Sequence, residues 1–444
     1  MLALLLAAVL PQADPRHELG WRMQAFERAW SAEASRERRA EVIAHWERAT
    51  QGFFAGRHGE AGRALDEGRR RILREEPSWS DALALVPEVR LLEVGQSTLA
   101  LELSAFYPVE LPESFELRLA SSDWRTTVAA LPWSGEVPLP GGAEGPLVLA
   151  FELHAAGAPD ALRAVSLARV ERLEERVDAL ADGLEAEGSG PALLRATVRG
   201  LHARLEELAW GAEGETFVDG AQLLASAEEI VAHGRLPAAL EQLWLPLGGQ
   251  DLALRARIPS VAAGRRVPLV LALHGAGGSE NLFFEGYGNG AIVDLASERG
   301  WALVAPRLAF DAPPDLAALV TGLAHELPID PERVVLVGHS MGAMLASSAL
   351  NAQRSAFRGA ALVAGAGGGP RPPEAWRDFP LFLATAERDF ARGGVERLRD
   401  TLVASGATRL TFRLYPASEH LTVVGEALPD VLAFFDEVLG AQPR

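Results

Sequence analysis

The chain has 444 residues, 42 basic and 60 acidic side chains, a formal net charge of −18 and no cysteine. That length exceeds one compact core and is read as about three domains. The acidic balance argues against nucleic acid or an anionic membrane surface as the main partner. Without cysteine there is no disulfide, thiolate-held zinc or thiol nucleophile, and every basic side chain is arginine, so lysine chemistry is excluded as well.

Residues 1–13 begin MLALLLAAVL, too short an apolar run to span a bilayer as a helix. The run resembles the apolar region of a secretory signal peptide, with Pro11-Gln12-Ala13 as a cleavage site. It predicts export to the periplasm or beyond without stable membrane insertion; a cytoplasmic location follows if the stretch is not a signal. Residues 14–78 predict helices. Leu19, Met23, Phe26 and Trp30 recur at spacings of four, three and four, one face of a helix. A second unit, GFFAGRHGEAGRALDEGRRRIL, has the small and aromatic spacing of half a tetratricopeptide-like hairpin, but one unit is packing and not an array.

Over residues 79–165 the period changes to two. EVRLLEVG, STLALELSAF, SFELRLASS, RTTVAAL and PLVLAFELHA alternate, with turn-rich YPVELPE and LPGGAEG between them, which predicts a small β-sandwich of immunoglobulin-like type. Helices return over 166–237. Val170, Leu173, Val177, Leu180 and Leu184 form one stripe, and Leu194, Val198, Leu201, Leu205 and Leu208 a second. Joined by EAEGSGP, they predict an antiparallel helical hairpin, followed by a shorter helix near Gln222 to Ala232.

From 238 to 444 strand-like runs alternate with helical ones: LALRARIP, VPLVLALHG, ALVAPR, RVVLVGHS, GAALVAGAG, LFLATAERD and RLTFRLYPASEH. This predicts a mostly parallel sheet with helices on both faces. Ligand sites in such sheets lie at the carboxyl ends of the strands. There, Gly338-His339-Ser340-Met341-Gly342 fits G-x-S-x-G between an apolar strand and a small-residue helix, the turn that exposes a nucleophilic serine. A serine hydroxyl needs a base to take its proton and an acid to orient that base, in chain order Ser, acid, His on this architecture. Asp389 ends LFLATAERD and His420 ends RLTFRLYPASEH, each just past a strand. Glu387, in the same turn as Asp389, is the rival acid. The tetrahedral oxyanion requires two backbone donors: Met341 N–H supplies one, and the loop His274-Gly275-Ala276-Gly277-Gly278 the other, through Ala276 or, second, Gly275. His274 reads as a structural histidine bonded to loop backbone, and His339 as packing beside the turn. Phe283, Phe284 and Tyr287 are candidates for the substrate pocket.

LALHGAGGSENLFF, IDPERVVLVGHSMGA, AERD and YPASEH resemble the α/β-hydrolase fold, and within it the esterase, polyhydroxybutyrate-depolymerase-like and dienelactone-hydrolase-like branches. Asp330-Pro331-x-Arg333-Val334 before the serine strand is of that type. The resemblance covers the last ~200 residues and implies a Ser340, Asp389, His420 triad and an acyl-enzyme. The only candidate lid between the late strands is GGGPRPPEAWRDFP, which predicts an open site accepting a small-molecule or polymer-attached ester. A serine peptidase or amidase, and a non-catalytic binding protein on the same scaffold, are the alternatives. The histidines form neither H-x-x-x-H nor H-E-x-x-H and no P-loop is present, so neither metal nor cofactor is expected. The oligomeric state is left open.

Overall fold

The computed structural model describes residues 14–155, 160–162, 164–186, 191–209, 218–260 and 264–440. The expected signal segment, residues 1–13, lies outside the described residues. Three helices come first: α1 (Pro15–Ala32), α2 (Arg36–Phe54) and α3 (His58–Leu73). Asp14 starts α1 by accepting from Arg16 N–H at 2.8 Å with Pro15 in the first turn, and Ser35 caps α2 by accepting from Arg38 N–H at 3.3 Å. The expected stripe on α1 is real: Leu19, Phe26 and Trp30 are buried against Val42, Ile43 and Trp46 of α2 and Ala61, Ala64 and Leu65 of α3. Phe26 and Trp46 stack with centroids 4.3 Å apart.

Among the described residues ten short strands follow: β1 (Leu83–Pro87), β2 (Leu91–Glu93), β3 (Thr98–Ala105), β4 (Phe115–Leu119), β5 (Arg125–Val128), β6 (Trp133–Pro138), β7 (Gly145–Leu149), β8 (Phe151–His154), β9 (Asp160–Ala161) and β10 (Val165–Val170). They form three small sheets, ordered β1-β3-β6, β2-β10-β7 and β5-β4-β8-β9, around one apolar core. PLVLAFELHA, which reads as one strand, divides at Ala150: β7 pairs with β10 and β8 with β4, so the chain changes sheets there. Val170 ends a strand and does not begin the helical stripe. The strand run therefore extends past 165.

Three helices, α4 (Leu173–Ala186), α5 (Ala192–Ala209) and α6 (Gly220–His233), share a core that includes Leu180, Leu194, Val198, Leu201 and Leu205 with Leu223, Leu224 and Ile230. The joining loop, 187–190, and the side chain of Leu184 lie outside the described residues.

The remaining elements are β11 (Gln242–Leu247), β12 (Gln250–Arg257), β13 (Val267–Leu273), α7 (Ala291–Ser297), β14 (Ala302–Pro306), α8 (Leu316–Glu326), β15 (Ile329–His339), α9 (Met341–Gln353), β16 (Gly359–Val363), β17 (Leu381–Ala386), α10 (Arg392–Ala404), β18 (Leu410–Tyr415) and α11 (Thr422–Leu439). They build one eight-stranded sheet in the order β11-β12-β14-β13-β15-β16-β17-β18. β13 to β18 pair in parallel, and β11 and β12 add an antiparallel edge. The sequence reading missed β11, whose alternating Leu243, Leu245 and Leu247 carry a period-two signal.

The central strands are buried on both faces. Leu269, Leu271, Leu336, Leu362 and Leu383 meet α8, α9 and α10, while Val270, Val335, Val337, Val363 and Phe382 meet α7 and α11. This two-sided cover explains the unbroken apolar runs and sends the loops after β13, β15, β17 and β18 to one edge. The multidomain architecture expected from the sequence, helical segments before a C-terminal α/β sheet, is the one observed; where a small immunoglobulin-like β-sandwich was expected, three small sheets share one core. Among the described residues no helix is long and apolar enough to cross a membrane.

Candidate active site

Ser340 joins β15 to α9 at φ 50°, ψ −111°, a region that non-glycine residues rarely occupy. Its neighbours make the turn possible by having no side chain. A Cβ on Gly342 would lie 2.0 Å from Leu273 O, and one on Gly338 would lie 2.5 Å from Gly342 O. Ser340 N–H donates to Val363 O at 3.0 Å, and Ser340 O accepts from Met344 N–H at 3.1 Å, which holds the turn at both ends. The serine thus stands at the N-terminus of α9, where the helix dipole favours negative charge.

Around it the predicted residues converge. Ser340 Oγ lies 3.0 Å from His420 Nε2, and His420 Nδ1 lies 2.8 Å from Asp389 Oδ1. His420 and Asp389 are buried and Ser340 is half-buried. Asp389 also accepts from Ala391 N–H (2.8 Å, Oδ1) and Thr385 Oγ1–H (2.8 Å, Oδ2). Burial would raise the Asp389 carboxyl, but the hydrogen bond and charge of His420 and these two further donors outweigh it and hold the group below its ordinary value. Glu387, the rival acid, is exposed and accepts from Ala417 N–H at 3.3 Å.

The loop after β13 is fixed from beneath. His274 donates from Nδ1 to Gly275 O (2.8 Å) and accepts Leu308 N–H at Nε2 (2.9 Å), the structural role read from the sequence. Gly275 N–H donates to Tyr287 Oη at 3.2 Å, and Tyr287 O–H donates to His339 Nδ1 at 2.8 Å. His339 Nε2–H in turn donates to His420 O at 2.9 Å. Burial, then repulsion from His420, lowers His339 well below its ordinary value, so it is a neutral spacer that sets the height of the His420 backbone. Of the proposed pocket aromatics, only Tyr287 lines the space beside Ser340. Phe283 is fully buried in the core under α7 and α11, and Phe284 packs there with the Arg255 guanidinium 4.7 Å from its ring.

The expectation that the segment between the late strands supplies the only cover needs correction. GGGPRPPEAWRDFP does not cover the serine: Trp376 is buried in the core beside α10, and Asn351 holds Gly369 O and Arg371 N–H. The cover comes from the other end of the chain. Helices α1, α2 and α3 lie over the site and bound a half-open cavity of about 100 Å³ between themselves and the Gly275–Gly278 loop, Ser340 and His420. Phe53 lies against the loop, where a Cβ on Gly277 would fall 2.3 Å from its ring. Phe54 and Phe390 flank His420, with ring centroids at 6.3 and 4.0 Å. Sequence reasoning missed Phe53, Phe54 and Phe390; the apolar stripe on α1 signalled a buried face but not its target.

Polar contacts seat the helices. Thr50 Oγ1–H donates to Glu419 Oε2 (3.2 Å), Glu27 Oε1 accepts from Gly288 N–H (3.1 Å), and Arg388 grips Glu47 with two bonds of 2.7 and 2.6 Å. On the far side Arg22 donates to Asp66 Oδ2 (2.8 Å) and Asp81 O (2.9 Å), tying α1 and α3 to the chain entering β1. Burial, reinforced by Glu419 and Glu426, pushes Glu27 up to about 8 despite the Gly288 bond and the Arg39 charge.

Residues 269–441 match the model of the alpha/beta hydrolase family. Among solved structures, the chain is similar to an S-formylglutathione hydrolase of Staphylococcus aureus, 14% identical, covering 42% of this chain and 93% of that one with a TM-score of 0.37. It is similar also to a feruloyl esterase module of Clostridium thermocellum complexed with sinapinate, 13% identical over 46% and 89% of the two chains, TM-score 0.37. A thermophilic carboxylesterase from a metagenomic library is 21% identical over 47% and 92%, TM-score 0.36. No curated protein matches the chain.

Proposed function

We propose, from the premise that the C-terminal part of the chain is an α/β hydrolase, that it cleaves carboxylic esters through an acyl-enzyme on Ser340. The observation that carries the reading is the unbroken chain Ser340 Oγ, His420 Nε2, His420 Nδ1, Asp389 Oδ1 at 3.0 and 2.8 Å, on a serine held at positive φ. With Nδ1–H committed to Asp389, Nε2 carries the lone pair that accepts the serine proton. Oγ bonds to the acyl carbon, and the C–O bond to the alcohol breaks as Nε2–H protonates the leaving oxygen. Water, losing its proton to the same Nε2, then releases the acid and regenerates Ser340. Asp389 keeps the tautomer and stabilises the imidazolium.

The oxyanion donors in this reading are Met341 N–H, at the start of α9, and Ala276 N–H. Ala276 is preferred to Gly275 because Gly275 N–H is already given to Tyr287 Oη. The test is hydrolysis of p-nitrophenyl butyrate by the purified protein and by Ser340→Ala, with a small fluorophosphonate as a label. Turnover and labelling of the parent alone are expected. A parent that neither labels nor turns over, or a labelled Ser340→Ala, refutes the reading.

A further inference from the structure

The helices over Ser340 belong to a part of the chain outside residues 269–441, and their placement has a chemical consequence. We infer that α1–α3 form the acyl subsite of the proposed esterase, so that its substrates are esters of a compact apolar acid, roughly four to eight carbons long, on an alcohol of unrestricted size. The inference rests on Ser340 being the nucleophile.

Three substituents of the tetrahedral carbon must be placed besides the serine. The oxyanion faces the Ala276 and Met341 N–H groups, and the leaving oxygen must lie within reach of His420 Nε2 to receive its proton. The acyl chain takes the remaining direction, and the space available there is the cavity of about 100 Å³ under the helices. A closed apolar cavity of about 150 Å³ holds a benzene ring, so this half-open one seats roughly four to seven heavy atoms. Its helical wall is built by Leu19, Met23, Ala49, Phe53, Ala61 and Leu65, and Leu282 and Leu421 face them from below. Such a wall, mostly apolar with Arg16 and Thr50 as its polar members, favours an aliphatic or small aryl chain.

The two halves of the ester also have different needs. The acyl group stays bonded to Ser340 through the first step and can be enclosed, whereas the alcohol must depart and water must enter. The side of His420 bearing Phe54 and Phe390 is open: these rings are 50% and 66% exposed, although they stand against the imidazole. An alcohol leaving by that route meets an aromatic rim and then solvent, which sets no limit on its size. The enclosing wall is anchored on both sides, through Thr50, Glu27 and Glu47 to the hydrolase and through Arg22 to Asp81, so it acts as a fixed gauge of acyl length.

The test is an acyl-length profile. Against p-nitrophenyl esters from acetate to dodecanoate, kcat/KM is expected to peak between butyrate and octanoate and to fall at least about tenfold at dodecanoate. Ala49→Leu, which fills the cavity, should lower the hexanoate-to-acetate ratio about tenfold, and Met23→Ala, which enlarges it, should move the peak to longer chains. Hexanoyl groups on dextran should be cleaved, and dodecanoyl groups on dextran should not. A flat profile, or one that neither variant moves, overturns the inference while labelling of Ser340 by a small fluorophosphonate leaves the esterase reading standing. An unlabelled parent removes both. If Ala49→Leu lacks the parent circular dichroism spectrum, the parent and Met23→Ala profiles decide.

Discussion

Ser340 at φ 50°, ψ −111° and Gly342 with Leu273 O pressed against its missing Cβ are the two ends of one constraint. The serine can be strained because its neighbour is small. Gly342→Ala would force a contact of 2.0 Å with backbone, which something must relieve by moving the strand or the turn. We predict a large loss of kcat and a lowered Tm, measured by ester hydrolysis and thermal unfolding; a parent-like rate would refute the strained turn at Ser340 as the source of activity. At Asp389 the prediction separates the two candidate acids. Asp389→Asn should lower kcat by on the order of 10³–10⁴-fold by favouring the wrong imidazole tautomer, while Glu387→Gln should keep a rate near the parent's. The folded Asp389 carboxyl lies below its ordinary value, so its contribution to stability is present above that value and lost as the pH falls through the folded one.

At the scale of elements, the seat of α1 on the α/β part of the chain includes a buried carboxyl, Glu27, and a pH dependence is expected from it. Its carboxyl rises from the ordinary 4.5 to about 8, chiefly by burial, with Glu419 and Glu426 adding repulsion and Arg39 and the Gly288 N–H opposing. Between those two values the folded chain keeps a proton that the unfolded chain has released, so stability falls as the pH rises through this window. Thermal melts from pH 6 to 9 should therefore show a decline that Glu27→Gln flattens; equal slopes for parent and variant would contradict the buried, protonated carboxyl. Tyr287 acts at the same scale by linking the loop after β13 to β15 through His339. Tyr287→Phe leaves the buried Gly275 N–H without this acceptor, a cost of about 1–3 kcal/mol. A lowered Tm with a reduced kcat is expected from unfolding and rate measurements.

For the whole molecule, the helices at the start of the chain pack against the loops at the edge of the α/β sheet at its end, and the proposed acyl subsite lies between them. The covering face of α1–α3 is apolar, and so is the surface it hides, Leu282 and Leu421 beside the serine. A protein lacking residues 14–78 should expose both the hydrolase site and the strands around Tyr107. Increased binding of a hydrophobic dye and loss of the acyl-length optimum are the expected readouts; a truncated protein with the parent profile would show that the helices do not shape the site. The acidic surface, with net charge −18, is consistent with a neutral ester as substrate and sets no specificity by itself.

The sequence alone determined all of the sheet at the end of the chain but β11, and marked out the three residues of the candidate triad, because each leaves a local mark. Buried strands are short apolar runs, G-x-S-x-G is a contiguous turn, and Asp389 and His420 follow strand ends that a parallel sheet brings to one edge. It also identified the face of α1 carrying Leu19, Met23, Phe26 and Trp30 as buried. Which surface that face would meet was beyond it, since an amphipathic helix records how much area it hides and not against what. For the same reason Phe283 and Phe284 looked like pocket residues although they fill the core, and PLVLAFELHA looked like one strand although it serves two sheets. Only tertiary packing decided that the lid comes from α1–α3 and that Phe53 rests on Gly277. Contacts between segments so distant in the chain depend on complementary shape across the whole fold, and no local pattern encodes that.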